Sequence, residues 1–273
     1  AFALNSLTYN NYFIINIFLM PIVHDSSYVA PFFSGNAHLQ TVLPSFFRKE
    51  DEFAYEREIF DAPDGDYFFL DWAKSAKKSE DLLIISHGLC GHTQRHYVLS
   101  LVKAFVNAGI DCLAWNFRVT GQTPNRLLKI TTSNSTDELD WITRHAIAKG
   151  GYKRVIHAGY SMGGNISLLY LAREAATLPD EVCGGIAFCA TIDIPVCTGL
   201  LDSASGKLYS MYFLRKMKRG LQQKQQEYPD KICADTMASV KSFREFDDYF
   251  TAPIMGFKDA EDYWNTASAS SWL

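Results

Sequence analysis

Gly159-Tyr160-Ser161-Met162-Gly163-Gly164 sets a hydroxyl between glycines two residues to either side. That spacing suits a nucleophile. A serine on a sharp turn between a buried strand and a helix is lifted clear of the sheet, and glycines leave room for so tight a fold. The flanks agree: Arg154 to Ala158 is a short apolar run, and Asn165 to Ala176 is a run of good helix formers. An acyl group attacked by Ser161 would develop an oxyanion, met by the backbone N–H of Met162 and the positive end of the following helix. A second donor is needed. His87-Gly88-Leu89-Cys90-Gly91, at another strand end, offers the Leu89 N–H, with Gly88 and Gly91 letting the backbone come close. Gly-rich strand-to-helix turns also hold phosphates and dinucleotides, so a packing or phosphate-binding turn is the competing reading.

Acyl transfer further requires a base and an acid that orients it. His87 sits beside the oxyanion loop, where bracing that loop is its better task; His92 and His96 follow, and His157 lies inside the strand that leads to Ser161. No histidine follows His157. In serine hydrolases built on such a turn, acid and base come after the serine in that order. Asp193, Asp202, Asp247 and Asp248 come after Ser161 but fall in or beside a helical region, and none is assigned to catalysis. The expectation is a nucleophile and an oxyanion hole without the triad Asp and His.

The elements that must position these groups are legible in the hydrophobic pattern. Leu82 to Ser86, Cys112 to Asn116, Arg154 to Ala158 and Gly185 to Ala190 read as buried parallel strands. Helices are expected from Tyr97 to Asn107 and from Ser135 to Lys149, the latter stopped by Gly150-Gly151. Glu52 to Phe60 and Tyr67 to Trp72, joined by an Asp-Pro-Gly turn, predict an antiparallel hairpin at the sheet edge. Phe32 to Pro44 reads as a lead-in with a helical turn at most. From Asp193 to Asp248 the pattern is helical. Leu208, Met211 and Tyr212, then Leu214, Met217 and Leu221, form stripes beside Arg215, Lys216, Lys218 and Arg219. Such a basic amphipathic helix fits a cap over the site, with a membrane surface as the lesser alternative. The whole predicts a doubly wound, mostly parallel α/β sheet.

The 273 residues suffice for one α/β domain with an insertion, and a hydrophobic share of 48% fills a large core. A net charge of −4 argues against general nucleic-acid binding. Six cysteines without a C-x-x-C pair read as free thiols of a reducing compartment, hence a cytoplasmic chain. Ala1 to Met20 carries no charged residue and is too broken for a membrane span; it reads as a poorly structured extension.

The chain resembles the YheT-like branch of the α/β-hydrolase fold, a family of predicted carboxylesterases. The likeness is carried by Asn36-Ala37-His38-Leu39-Gln40-Thr41, His87-Gly88-Leu89 with Gly91, and Asn116-Phe117-Arg118 with Pro124-Asn125-Arg126-Leu127. Gly159 to Asn165, Phe246-Asp247-Asp248, Thr251-Ala252-Pro253 and Gly256 to Tyr263 complete it. The resemblance implies a Ser-Asp-His esterase with a helical cap that needs no cofactor and no metal. Its partner would be a small-molecule ester of short to medium acyl chain; the oligomeric state is left open. Arg118, Asn125 and Arg126 are expected to brace the loop beside the pocket. Cys90 stands where the family usually has an acidic residue, Val119-Thr120-Gly121-Gln122 replaces a Gly-rich turn, and Thr131 to Asn134 replaces Tyr-His-Ser-Gly. The family's acid and its Gly-Gly-His base lie beyond the point that Leu273 reaches, so the last strands are expected to be missing. The implied division is an extension over 1–31, the α/β-hydrolase core over 32–192, the cap over 193–250 and a return toward the core over 251–273. Two other readings are a non-catalytic acyl- or lipid-binding homologue and a membrane-associated lipid hydrolase.

Overall fold

The computed structural model of the chain describes residues 27–48, 50, 52–119 and 125–273. The uncharged stretch Ala1 to Met20 lies outside the described residues. The chain divides into two compact units, 1–49 and 50–273.

The first unit contains a finding that the pattern understated. Ala37–Phe47 is an eleven-residue helix, α1, where a single turn was expected. Asn36 supplies the reason: its side chain accepts hydrogen bonds from the His38 and Leu39 N–H groups, satisfying donors that a helix start leaves open.

The second unit is built on a six-stranded sheet. Its strands are β1 Glu56–Asp61, β2 Tyr67–Ala73, β3 Asp81–Ser86, β4 Asp111–Trp115, β5 Arg154–Tyr160 and β6 Val182–Phe188. The spatial order is β1-β2-β4-β3-β5-β6. β1 and β2 form the predicted antiparallel hairpin at one edge, and β4, β3, β5 and β6 run parallel. Helices α2 (His96–Asn107), α3 (Thr136–Gly150) and α4 (Met162–Arg173) make the crossovers. Alternation along the strands decides which helix covers which face. Leu82, Ile84, Leu113 and Trp115 pack with Leu139 and Ile142 of α3 and with Ile166 and Tyr170 of α4. Leu83, Ile85, Cys112 and Ala114 pack on the other face with Val98 and Val102 of α2. The sheet is therefore doubly wound, as read from the sequence. β6 differs from its neighbours: it lies at the second edge, and Cys183, Gly185, Ile186 and Ala187 are exposed.

After β6 the chain is helical throughout, in α5 (Ile194–Asp202), α6 (Lys207–Gln225), α7 (Ala234–Ser239), α8 (Phe243–Phe246), α9 (Ala252–Met255) and α10 (Ala260–Ala267). Between α8 and α9, Asp247–Thr251 widens into a π turn. The two apolar stripes of α6 part company. Leu214 and Leu221 join Ile232, Met237, Phe246 and Phe250 in a separate core, while Leu208, Met211 and Tyr212 face outward. Among the described residues no helix is long and apolar enough to cross a membrane.

Candidate active site

Ser161 follows β5 directly and serves as N-cap of α4 at φ 53°, ψ −119°, a conformation that L-residues rarely adopt. Its backbone is held from three sides. The N–H donates to the Phe188 carbonyl (2.9 Å), and the carbonyl accepts from Asn165 (3.0 Å) and Thr191 (3.4 Å). This is how a strained residue persists: the surroundings over-determine it. The Ser161 side chain makes no capping hydrogen bond. The glycines around it are required by close approach. A Cβ on Gly159 would stand 2.2 Å from the Gly163 carbonyl oxygen, and one on Gly163 would stand 2.3 Å from that of Ser86.

The loop after β3 lies against this turn. A Cβ on Gly88 would reach within 3.4 Å of the Ser161 Cβ, and the Gly88 N–H donates to the Tyr97 hydroxyl at 3.1 Å. Leu89 and Met162, the two expected oxyanion donors, line one cleft of about 610 Å³, together with Cys90, Val119, Met217 and Phe246. Cys90 (φ 56°) and Val119 (φ 60°), both lining the cleft, are also in left-handed backbone. Neither was foreseeable, because a thiol and a β-branched side chain are the wrong residue types for that conformation.

His87 holds its loop. Phe117 donates its N–H to Nε2 (3.3 Å), which leaves Nδ1–H for the Gly88 carbonyl (2.8 Å), and the imidazole packs 3.8 Å from the Phe117 ring. Burial drives its pKa down to about 3. His157 is fully buried in β5, edge-on to Tyr170, with neither ring nitrogen hydrogen-bonded among the described residues; burial lowers it also to about 3. His92 lines the cleft, and burial lowers its pKa too. His96 stacks edge-on to Tyr97. No histidine is hydrogen-bonded to Ser161 among the described residues.

The four later aspartates are all engaged. Asp193 caps α5 through the Val196 N–H, Asp202 accepts from the Phe243 N–H, and Asp248 accepts from the Ala260 N–H. Asp247 is buried, accepting from the Thr251 hydroxyl (2.6 Å) and the Trp264 indole (2.7 Å); burial raises its pKa to about 6. Arg118, Asn125 and Arg126 brace as expected. Arg118 meets Asp66 (2.8 Å), Asp64 (2.9 Å) and Glu138 (2.8 Å), and Asn125 bridges the Val119 N–H and the Tyr67 carbonyl. Arg126 donates its N–H to Asp66. Burial outweighs Arg118 at Glu138 and lifts its pKa to about 7.

Asn165 does more than its place in a motif suggested. Its Nδ2 donates to the carbonyls of Ser133 (3.0 Å) and Ala267 (2.7 Å), and its Oδ1 accepts from the Ala269 N–H (3.0 Å). It thereby ties the start of α4 to the segment after α10. Among the described residues no group of His, Cys, Asp and Glu is placed to hold a metal.

A mostly parallel, doubly wound sheet with a G-x-S-x-G turn at the end of β5 and helices following β6 defines the α/β-hydrolase class. Residues 77–246 match the family model described as serine aminopeptidase, S33, and the chain belongs to that family of α/β hydrolases. It is 31% identical over 243 residues to the Escherichia coli (strain K12) protein named "Putative esterase YheT", spanning 88% of this chain and 71% of that one. Phospholipase ABHD3 of Mus musculus is 25% identical over 244 residues, 86% of this chain and 58% of its own length. The Embryogenesis-associated protein EMB8 of Picea glauca is 25% identical, over 87% and 55%. The chain thus spans little more than half of these last two relatives. A Pyrococcus furiosus esterase, PF2001, superimposes with a TM-score of 0.47 at 20% identity, covering 60% of this chain and 62% of that one.

Proposed function

We propose that Ser161 is the nucleophile of a carboxylic-ester hydrolase, acylated through its hydroxyl while the N–H groups of Leu89 and Met162 receive the oxyanion. The observation that carries this reading is the pinned, positive-φ backbone at Ser161 directly against the Gly88-Leu89 loop. Strain of this kind, about 1–3 kcal/mol, persists where geometry is over-determined and gathers at active sites. The esterase and phospholipase names of the relatives favour an ester over the peptide bond that the family description mentions. Short to medium acyl chains suit a cleft of about 610 Å³.

Among the described residues no histidine is hydrogen-bonded to Ser161 as a base. His87 has both nitrogens engaged, and His157 is sealed in the core. Loss of a triad member costs ~10⁴-fold or more in rate, so hydrolysis by this chain alone is expected to be very slow. Fluorophosphonate labelling tests both parts. The expected result is slow labelling, faster with added imidazole standing in for the base, and absent in Ser161→Ala. No labelling even with imidazole, or labelling of another residue, would remove Ser161 as nucleophile. Rapid labelling without imidazole would overturn the missing base alone. The lack of a base on Ser161 among the described residues also supports a second reading, an acyl-binding homologue without turnover. Saturable binding of a medium-chain ester with no product release would favour it. The outward face of Leu208, Met211 and Tyr212 supports a third reading, a lipid hydrolase that works at a membrane surface.

A further inference from the structure

The cleft beside Ser161 carries positive charge that carboxylates among the described residues neutralise only in part. Its lining includes Arg57, Arg95, Arg118, Lys216 and Arg219, against Glu52. Arg57 is neutralised by Asp71 at 2.6 Å, and Arg118 by the carboxylates of Asp64, Asp66 and Glu138. No carboxylate lies within ion-pair distance of Arg95, Lys216 or Arg219 among the described residues. In a chain of net charge −4, a cleft with three uncompensated cations runs against the average.

Two of these cations converge from different parts of the fold. Arg95 belongs to the loop between β3 and α2, and Lys216 to the cap helix α6. Lys216 Nζ stands 4.5 Å from the centre of the Tyr212 ring. Burial pushes the Tyr212 phenol upward, but Lys216 and then Arg95 outweigh it and bring the pKa below its ordinary value. The same pair acts on Cys90 and His92 within the cleft. Arg95 and Lys216 line one cleft, where like charges repel one another and low-dielectric walls concentrate their field. An anion between them would turn that repulsion into charge-assisted hydrogen bonding, with the guanidinium fork suited to two oxygens of one group.

We propose that this cleft takes an anionic acyl ligand, its phosphate or carboxylate seated between Arg95 and Lys216 and its apolar chain running toward Leu89 and Met162. The inference rests on the preceding reading only in calling that ligand a substrate; the binding site stands on its own charges.

Non-ester probes separate the two. Calorimetric titration of the whole chain with dodecyl phosphate, dodecanoate and 1-dodecanol, each below its aggregation limit, measures head-group preference without hydrolysis. At low salt at least one anionic probe is expected to bind about tenfold more tightly than dodecanol. That advantage should shrink as ionic strength rises, because Lys216 and Arg95 are half-exposed. Lys216→Glu should abolish it, and Lys216→Met should reduce it while melting like the parent. A better fit of dodecyl phosphate assigns a phosphate head group, and a better fit of dodecanoate a carboxylate; either supports the site. Dodecanol binding as tightly as the anions, or a preference that survives Lys216→Glu, would overturn it. An anion preference in a chain that never labels at Ser161 would retain this site and remove the hydrolase reading.

Discussion

Ser161 carries a strain that its side chain, and not its sequence position, makes costly. At φ 53°, ψ −119° any Cβ is unfavourable, so removing the hydroxyl leaves the cost in place and removing the Cβ relieves it. Ser161→Gly is therefore expected to be more stable than Ser161→Ala, by about 1 kcal/mol after glycine's greater freedom in the unfolded chain is subtracted. Urea midpoints of the two variants decide it, and equal stability would mean that position 161 is unstrained. The turn was legible in the sequence because only glycines tolerate what surrounds it, and their spacing records the contacts with Ser86 and Gly163. The strain at Cys90 and Val119 was not, since nothing in their residue types announces a positive φ. His87 was legible in part. Its place at a strand end suggested a brace, but its two partners, the Phe117 N–H and the Gly88 carbonyl, come together only in the fold.

Between elements, the telling contact is the three-way bond of Asn165. Each of its partners is a backbone group that would otherwise be buried without one: the Ser133 and Ala267 carbonyls and the Ala269 N–H. Asn165→Ala strands all three and is expected to cost about 3 kcal/mol or more. Amide exchange of Ala267 to Ser271 should rise more than that of β3, since their tie to α4 is cut; uniform change across the chain would count against a local clamp. Apolar runs sufficed to place β3, β4 and β5, because a strand buried on both faces must be apolar throughout. The stripes of α6 could not be apportioned that way. Periodicity shows which residues share a helix face, and only the packing of Leu214 and Leu221 against Ile232 and Phe246 shows which face is covered. α1 was underestimated by reading hydrophobic spacing alone, where the Asn36 cap was the better signal.

At the scale of the whole molecule, the four buried acid–base groups with the largest shifts between pH 3 and 7 dominate the response to acid there. His87 and His157, with pKa values lowered from 6.5 to about 3, remain neutral in the fold and take up protons on unfolding. Their contribution is complete above pH 6.5 and is lost as pH falls, by about 1.4 kcal/mol per pH unit for each histidine. Glu138, raised from 4.5 to about 7, and Asp247, raised from 3.8 to about 6, act the other way: the fold holds protons that the unfolded chain releases, so stability rises as pH falls through that window. From pH 6 to 4.5 two gains oppose two losses, and stability should be nearly flat. Below about pH 4 the histidine losses are joined by those of ion-paired carboxylates such as Asp64 and Asp81, which the fold holds below their ordinary pKa, and stability should collapse. Asp247→Asn removes one of the gains, so its urea midpoint should already decline from pH 6 to 4.5. A flat profile in that variant would refute the assignment of the protonated carboxyl.

The Asn165 clamp also fixes an order of events in synthesis. Its acceptor is closed by the Ala269 N–H, 104 residues further along. At ~5–20 residues per second the ribosome needs roughly 5–20 seconds to make that stretch. Throughout that interval the nascent helix behind Ser161 exists without its last partner, and its amide is open to water or to a chaperone. The turn that would do the chemistry is thus made roughly a hundred residues before the segment that locks it.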